Sequence, residues 1–283
     1  MNPVTLLKAK AGDALLGGLA LISPLSIVSS FAGEEANTSG WQLVWSDEFE
    51  VDGLPDPEKW GYDVGGHGWG NKELQYYTES RAKNARVQDG LLIIEAHQEP
   101  FQGSDYTSAR LVTRDTANWT YGRFEIRARI PDGLGTWPAI WMLPVDWNLG
   151  SGNWPDVGEI DIMEHVGYDV GTIHASAHSK AYQWQIGTQK TGTIELDDAT
   201  SAFHTYVLEW TEDVIRAYVD DTLYFEYENE HSGWEAWPYQ RDYYLILNVA
   251  FGGAWGSAKG LDPDCLPKAM EVDYVRVYQQ AEI

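Results

Sequence analysis

Residues 121–130 read YGRFEIRARI, and this stretch decides the fold class. Phe124, Ile126, Ala128 and Ile130 alternate with Arg123, Glu125, Arg127 and Arg129, the period-two pattern of a strand with one face in a core and one in water. Outward from it, the same kind of run recurs at 90–97 (GLLIIEAH), 158–167 (GEIDIMEHVG), 204–211 (HTYVLEWT), 214–228, 243–251 (YYLILNVAF) and 270–279 (MEVDYVRVYQ). Asp220-Asp221 divides 214–228 into a hairpin. No stretch sustains a 3.6-residue period, and no internal repeat or linker is visible. Regularly spaced strands without long helices predict an all-β antiparallel sandwich or barrel. A single domain over 41–283 falls within the usual size of such folds.

Composition narrows the function. The 283 residues carry 43 acidic and 19 basic side chains, a formal net charge of −24. That balance argues against a nucleic-acid binder, which needs a basic face, and against docking on anionic membranes. One cysteine, Cys265, can form neither an internal disulfide nor a cysteine-rich metal site, and the seven histidines contain no His-Glu-x-x-His. The 14 Trp outnumber the 7 Phe. Some must pack the core. The rest suit a groove whose flat rings stack on the apolar faces of sugars while acidic groups bind hydroxyls. An acidic, Trp-rich, cysteine-poor chain thus points to a neutral polysaccharide.

Residues 1–32 have the layout of a signal peptide. Lys8 and Lys10 give the positive start, 14–28 is mostly apolar but interrupted by Pro24, and Ser30-Phe31-Ala32 offers a small-x-small cleavage site. An uncleaved N-terminal anchor is the alternative, although the apolar run is short for a membrane span. Residues 33–40 are a short polar leader. The expected location is therefore secreted, extracellular or periplasmic, with no stable membrane association after cleavage.

The segment 159–164, EIDIME, carries the chemistry. On a strand Glu159 and Asp161 share a face while Ile160 and Ile162 point into the core. Strict alternation would turn Glu164 to the core side, where an unpaired carboxylate is costly. A β-bulge at Ile162–Met163 adds one residue and returns Glu164 to the face of Glu159 and Asp161. Carboxylates this close cannot all ionise cheaply, so one should hold a proton near neutral pH. A protonated carboxyl beside an ionised one is the pair that retaining glycoside hydrolysis needs, about 5–5.5 Å apart. Calcium binding is the competing use, but calcium favours loops over a strand with Ile at alternate positions.

At this motif the sequence resembles family 16 of the glycoside hydrolases, the laminarinase-like enzymes. The likeness runs through WSDEF (45–49), GNKELQYYT (70–78), SARLVTRD (108–115), YGRFEIRARIPDGLGTWPAIWMLP (121–144), WPDVGEIDIMEHVG (154–167), LILNVAFGGAWG (245–256) and MEVDYVRVY (270–278). It implies a jelly-roll, concanavalin-like sandwich of two antiparallel sheets with a concave cleft. By the same resemblance Glu159 is the nucleophile, Asp161 the assisting residue and Glu164 the acid/base. The extra residue Met163 matches laminarinase-, agarase- and carrageenase-type members rather than lichenases. Net charge disfavours the sulfated substrates among these.

Matching segments place Trp137, Trp141, His165, Asn71, Arg110 and Asn248 as sugar-binding candidates, with Glu73 a weaker one. The resemblance also implies a structural Ca2+ held by Glu48, the Gly90 carbonyl and Asp273, on the side away from the cleft. His174 and His178 share a strand face, but no third metal ligand stands beside them in the sequence. The expected activity is endo-cleavage of 1,3-β-glucan with retention, by a monomer, with no cofactor for catalysis. Other retaining activities of the fold (mixed-linkage glucanase, agarase, transglycosylase) and a non-catalytic β-glucan-binding module are the alternatives. Loss of Glu159 or Glu164 would mark the binding module, and both are present.

Overall fold

A computed structural model describes residues 40–281, so the expected signal peptide and nearly all of the leader lie outside the described residues. Ten strands form one sheet. Its main path runs β15 (Thr222–Glu228), β14 (Val214–Val219), β13 (His204–Trp210), β8 (Gly122–Arg129), β17 (Lys268–Gln280), β5 (Leu91–Phe101), β6 (Ser104–Ser108) and β3 (Gln75–Tyr77). Beside this path β1 (Trp41–Asp47) pairs with β17, and β4 (Ala85–Gln88) pairs with β5. Seven strands form the second sheet: β12 (Lys190–Glu195), β11 (Thr172–His178), β10 (Glu159–Glu164), β9 (Thr136–Pro144), β16 (Tyr243–Phe251), β7 (Arg110–Val112) and β2 (Gly61–Tyr62). All pairings are antiparallel except β3 with β6 at the edge of the larger sheet.

The two sheets meet over one core, and the alternation along each strand decides what enters it. From β8 come Phe124, Ile126 and Ala128, from β17 Met270, Val272, Val275 and Val277, and from the facing sheet Ile160, Ile162, Met163, Leu245, Leu247 and Val249. Each fully buried aliphatic side chain contributes about 1.5–3 kcal/mol. Strand β16 is buried along its whole length because its two faces serve different layers. Leu245, Leu247 and Val249 enter the core. Tyr244 and Ile246 pack on the opposite face with Val112, Leu143 and Trp141. A strand covered on both sides has no polar face, hence the unbroken apolar run at 243–251.

The polar half of the 121–130 pattern lies on the outside of the larger sheet and is paired across strands. Arg123 joins Glu209 across the pairing with β13 and Glu125 along its own strand, Arg127 joins Asp273, and Arg129 joins Glu271. Arg276 grips Glu48 with two nitrogens, at 3.0 and 2.8 Å. Two further cross-strand pairs, Arg86–Glu95 and Arg216–Glu226, extend the ladder. Cross-strand opposite charges each add a few tenths of a kcal/mol and fix register.

Candidate active site

Strand β10 lies between β9 and β11, and its register slips once. Asp161 faces Trp141 on β9, but Met163 faces Ile140 and Glu164 faces Ala139. On β11, Asp161 faces Ser176 and Glu164 faces His174. Two residues of β10, Ile162 and Met163, thus stand against one on either neighbour, the expected bulge. Both side chains are fully buried in the core. Glu159, Asp161 and Glu164 consequently line one cleft.

That cleft has a volume of about 1250 Å³. Around the carboxylates stand Trp69, Trp137, Trp141 and Trp255, with Trp147, Trp154 and Trp184 also in the wall. The Trp137 indole donates to Glu164 Oε1 at 3.0 Å. Trp141 donates to Asn248 Oδ1 at 2.7 Å, and Asn248 donates to the Tyr77 hydroxyl at 3.0 Å. Tyr77 in turn donates to Glu73 Oε2 at 3.2 Å, and the same Glu73 accepts from Gln75 and Asn71. This chain fixes the plane of Trp141 from beneath. From the side, Arg110 lies between the Trp141 and Trp69 rings, 4.6 and 4.8 Å from their centres, and its guanidinium is held by Asp63.

Burial sets the electrostatics. The Glu159 carboxyl is pushed well above the usual carboxylate range by desolvation and then by Asp161, with His178 opposing. Asp161 is likewise pushed well up by burial and by Glu164. Glu164 is raised by burial, against the Trp137 hydrogen bond and His178. Because the three carboxyls raise one another, the cluster holds a shared proton more readily than a lone carboxylate and can donate it. His178 Nε2 stands 3.2 Å from Asp161 Oδ2 and 3.9 Å from Glu159 Oε1. Glu73 is also raised by burial, although Gln75, Arg110, Asn71 and Tyr77 oppose the shift.

Of the expected sugar contacts, Trp137, Trp141, Asn71, Arg110 and Asn248 line the cleft, as does Glu73. His165 does not. It is 0% exposed, and neither ring nitrogen finds a hydrogen-bond partner among the described residues. The bulge that turns Glu164 outward turns the next side chain inward, so His165 packs beneath the sheet instead of reaching sugar. The two histidines on this face of β11 have different neighbours. Glu159 and Asp161 supply two oxygens beside His178, while His174 packs edge-on against Trp255, ring centres 4.9 Å apart. Ser176, His178, Trp69 and Trp255 are cleft residues that the sequence argument did not select. For the first two, polar His174, Ser176 and His178 alternating with Ile173, Ala175 and Ala177 was the available signal.

A two-sheet jelly roll whose smaller sheet floors a long, Trp-walled, carboxylate-centred cleft defines the class. The chain belongs to family 16 of the glycosyl hydrolases: the family model matches residues 72–276. It is 58% identical over 247 residues to the "Beta-glucanase" of Rhodothermus marinus, covering 86% of each chain. It is 36% identical over 252 residues to the "Glucan endo-1,3-beta-glucosidase" of Cryptopygus antarcticus, covering 83% of this chain and 91% of that one. The X-ray structure of the laminarinase from Rhodothermus marinus superposes with a TM-score of 0.84 at 57% identity, covering 86% of this chain and 98% of that chain.

Proposed function

We propose that the protein is an endo-acting glycoside hydrolase that cleaves 1,3-β-glucan with retention of configuration. The observation that carries this is the bulged strand β10, which sets Glu159, Asp161 and Glu164 together on the floor of a long open cleft. Family membership and the activities named for the similar proteins support the substrate class. In the first step a Glu159 oxygen attacks the anomeric carbon as its bond to the leaving oxygen breaks. Glu164 gives that oxygen its proton. In the second step Glu164 takes a proton from water, the water oxygen attacks the same carbon, and the Glu159 ester bond breaks. Asp161 hydrogen-bonds the nucleophile and shares the cluster's proton. The walls of Trp137 and Trp141 stack on sugar faces, and Asn71, Arg110 and Asn248 offer polar contacts.

Product analysis on laminarin, mixed-linkage glucan, agarose and carrageenan tests the substrate. Early release of intermediate-length oligosaccharides from laminarin is expected, and action on agarose or carrageenan in its place would overturn the proposal. Time-resolved NMR should find the β-anomer first, and an α-anomer first would exclude retention. Transglycosylation would appear as products longer than the starting oligosaccharide.

Two further proposals concern the rest of the chain. The signal-like pattern at 1–32 supports secretion. A structural calcium on the larger sheet is supported by donor chemistry and register. Asp47 pairs with Val275 and Leu92 with Val272, so Glu48, the turn at Gly90 and Asp273 converge on one region of that sheet. All three offer oxygen, as a hard cation requires. Glu48 and Asp273 are engaged by Arg276 and Arg127, so the ion would compete with those guanidinium groups.

A further inference from the structure

We propose that Glu159, Asp161 and His178 also form a site for a zinc-type divalent cation, which would close the cleft to sugar. Only the competition with sugar rests on the proposed function; the metal site stands on its own geometry. Pairing of β10 with β11 sets Glu159 directly opposite His178, with Asp161 two residues further along the same face. One donor atom from each of the three residues falls within 4.8 Å of the others. Zinc bonds of about 2.0–2.2 Å in a tetrahedron require donors about 3.3 Å apart. His178 Nε2 and Asp161 Oδ2, at 3.2 Å, already have that spacing. Glu159 stands 3.9 Å from the imidazole and is the most exposed of the three, so a small side-chain rotation completes the set.

A second observation points to a ligand. Asp161 is 3% exposed and His178 5%, yet Asp161 Oδ2 has no hydrogen-bond partner among the described residues. The approach of His178 is close but not aligned as a hydrogen bond. A buried carboxylate oxygen without a partner is costly, and a cation in front of it removes that cost. Arg110 and Arg114 pair with Asp63, and neither forms an ion pair with Asp161 among the described residues. One imidazole with two carboxylates suits zinc or a similar first-row ion. Calcium and magnesium, which prefer six or more oxygens, fit it poorly. All three residues line the open cleft, which is the path by which the ion would enter. Bound there, the ion holds Glu159 and occupies the floor on which a sugar would lie.

Calorimetry of the full chain with ZnCl2, in excess CaCl2 to saturate carboxylate-only sites, tests the proposal. One zinc per chain is expected, with affinity reduced more than about tenfold in His178→Ala. Prior addition of laminaritetraose should weaken zinc binding, and zinc should inhibit laminarin cleavage competitively. CoCl2 provides a readout that does not depend on the variant folding: the wild-type protein should give the intense visible absorption of a tetrahedral site. Unchanged zinc affinity in a folded His178→Ala, or a weak octahedral cobalt spectrum, would overturn the site. Laminaritetraose titrated into metal-free protein separates the two proposals. Sugar binding without zinc binding overturns the metal site alone, whereas zinc binding without sugar binding supports the metal site and counts against the glucan function.

Discussion

Glu159 and Glu164 have like side chains in one cleft, and their proposed roles, nucleophile and acid/base, predict different failures. Glu159→Ala removes the nucleophile, so azide can attack an activated substrate directly from the vacated face and give an inverted α-glycosyl azide. Glu164→Ala removes the acid and the later base. An activated leaving group still departs, and azide should intercept the intermediate to give the β-azide. NMR of the two products checks this, and the opposite pair of anomers would reverse the assignment. His165 makes a prediction of another kind. Burial lowers its pKa to about 4, with His174 adding to the shift and Asp169 and Asp132 opposing it. The unfolded chain takes up a proton near pH 6.5 and the folded chain does not until about pH 4. Stability from this group is therefore full above about pH 6.5 and falls as pH drops toward 4, by about 3 kcal/mol in all. Denaturant unfolding at pH 7 and pH 4.5 should show this loss in the wild type and a smaller one in His165→Leu.

For strand β10, what matters is the count of residues between Asp161 and Glu164. Asp161 faces Trp141 and Glu164 faces Ala139, so one residue, opposite Ile140, would complete an unbroken ladder with β9. On β11 the same single residue would stand opposite Ala175, between Ser176 and His174. Deleting Met163 should thus leave Glu164 on the cleft face and the strand regular. The cost is a buried Met side chain, about 2–5 kcal/mol. Inserting an alanine after Met163 should instead turn Glu164 toward the core and lower turnover by about 10²–10⁴-fold, the range for loss of a general acid. Denaturation and laminarin assays on both variants check this. A folded deletion variant as inactive as the insertion variant would refute the bulge's role.

Over the whole molecule, the cleft lies on one sheet and the proposed calcium donors on the other. Ion removal should therefore act on stability through linkage and leave the chemistry of the folded protein intact. With free calcium at a hundred times its dissociation constant, chelation should lower the melting temperature by about 5–10 °C. Rates on laminarin well below the transition should stay unchanged. A thermal scan with and without chelator is the measurement, and an unchanged midpoint in protein free of bound calcium would remove the site. The outer ion-pair ladder shares this larger sheet. Its arginines now hold Glu48 and Asp273, so metal binding and the ladder compete for the same carboxylates.

The sequence by itself determined the strands whose two faces differ. Alternation at 121–130 marks β8 because one face meets the core and the other meets water. The same reasoning located β13, β14, β15 and β17, and it required a bulge in β10 because a carboxylate does not lie unpaired in a core. The unbroken apolar run of β16 also marked a strand, although not which of its two buried faces met the cleft. Short strands such as β2, β3 and β7 escaped, since two or three residues show no period. Only the tertiary structure decided which residues far apart in the chain meet. Glu73 reaches Trp141 through Tyr77 and Asn248, and His178 comes opposite Glu159. It also decided that His165, one residue from Glu164, faces away from the cleft. Local pattern records the environment of a residue's own face, whereas partners across a sheet are fixed by register, which the packing of the whole sandwich selects.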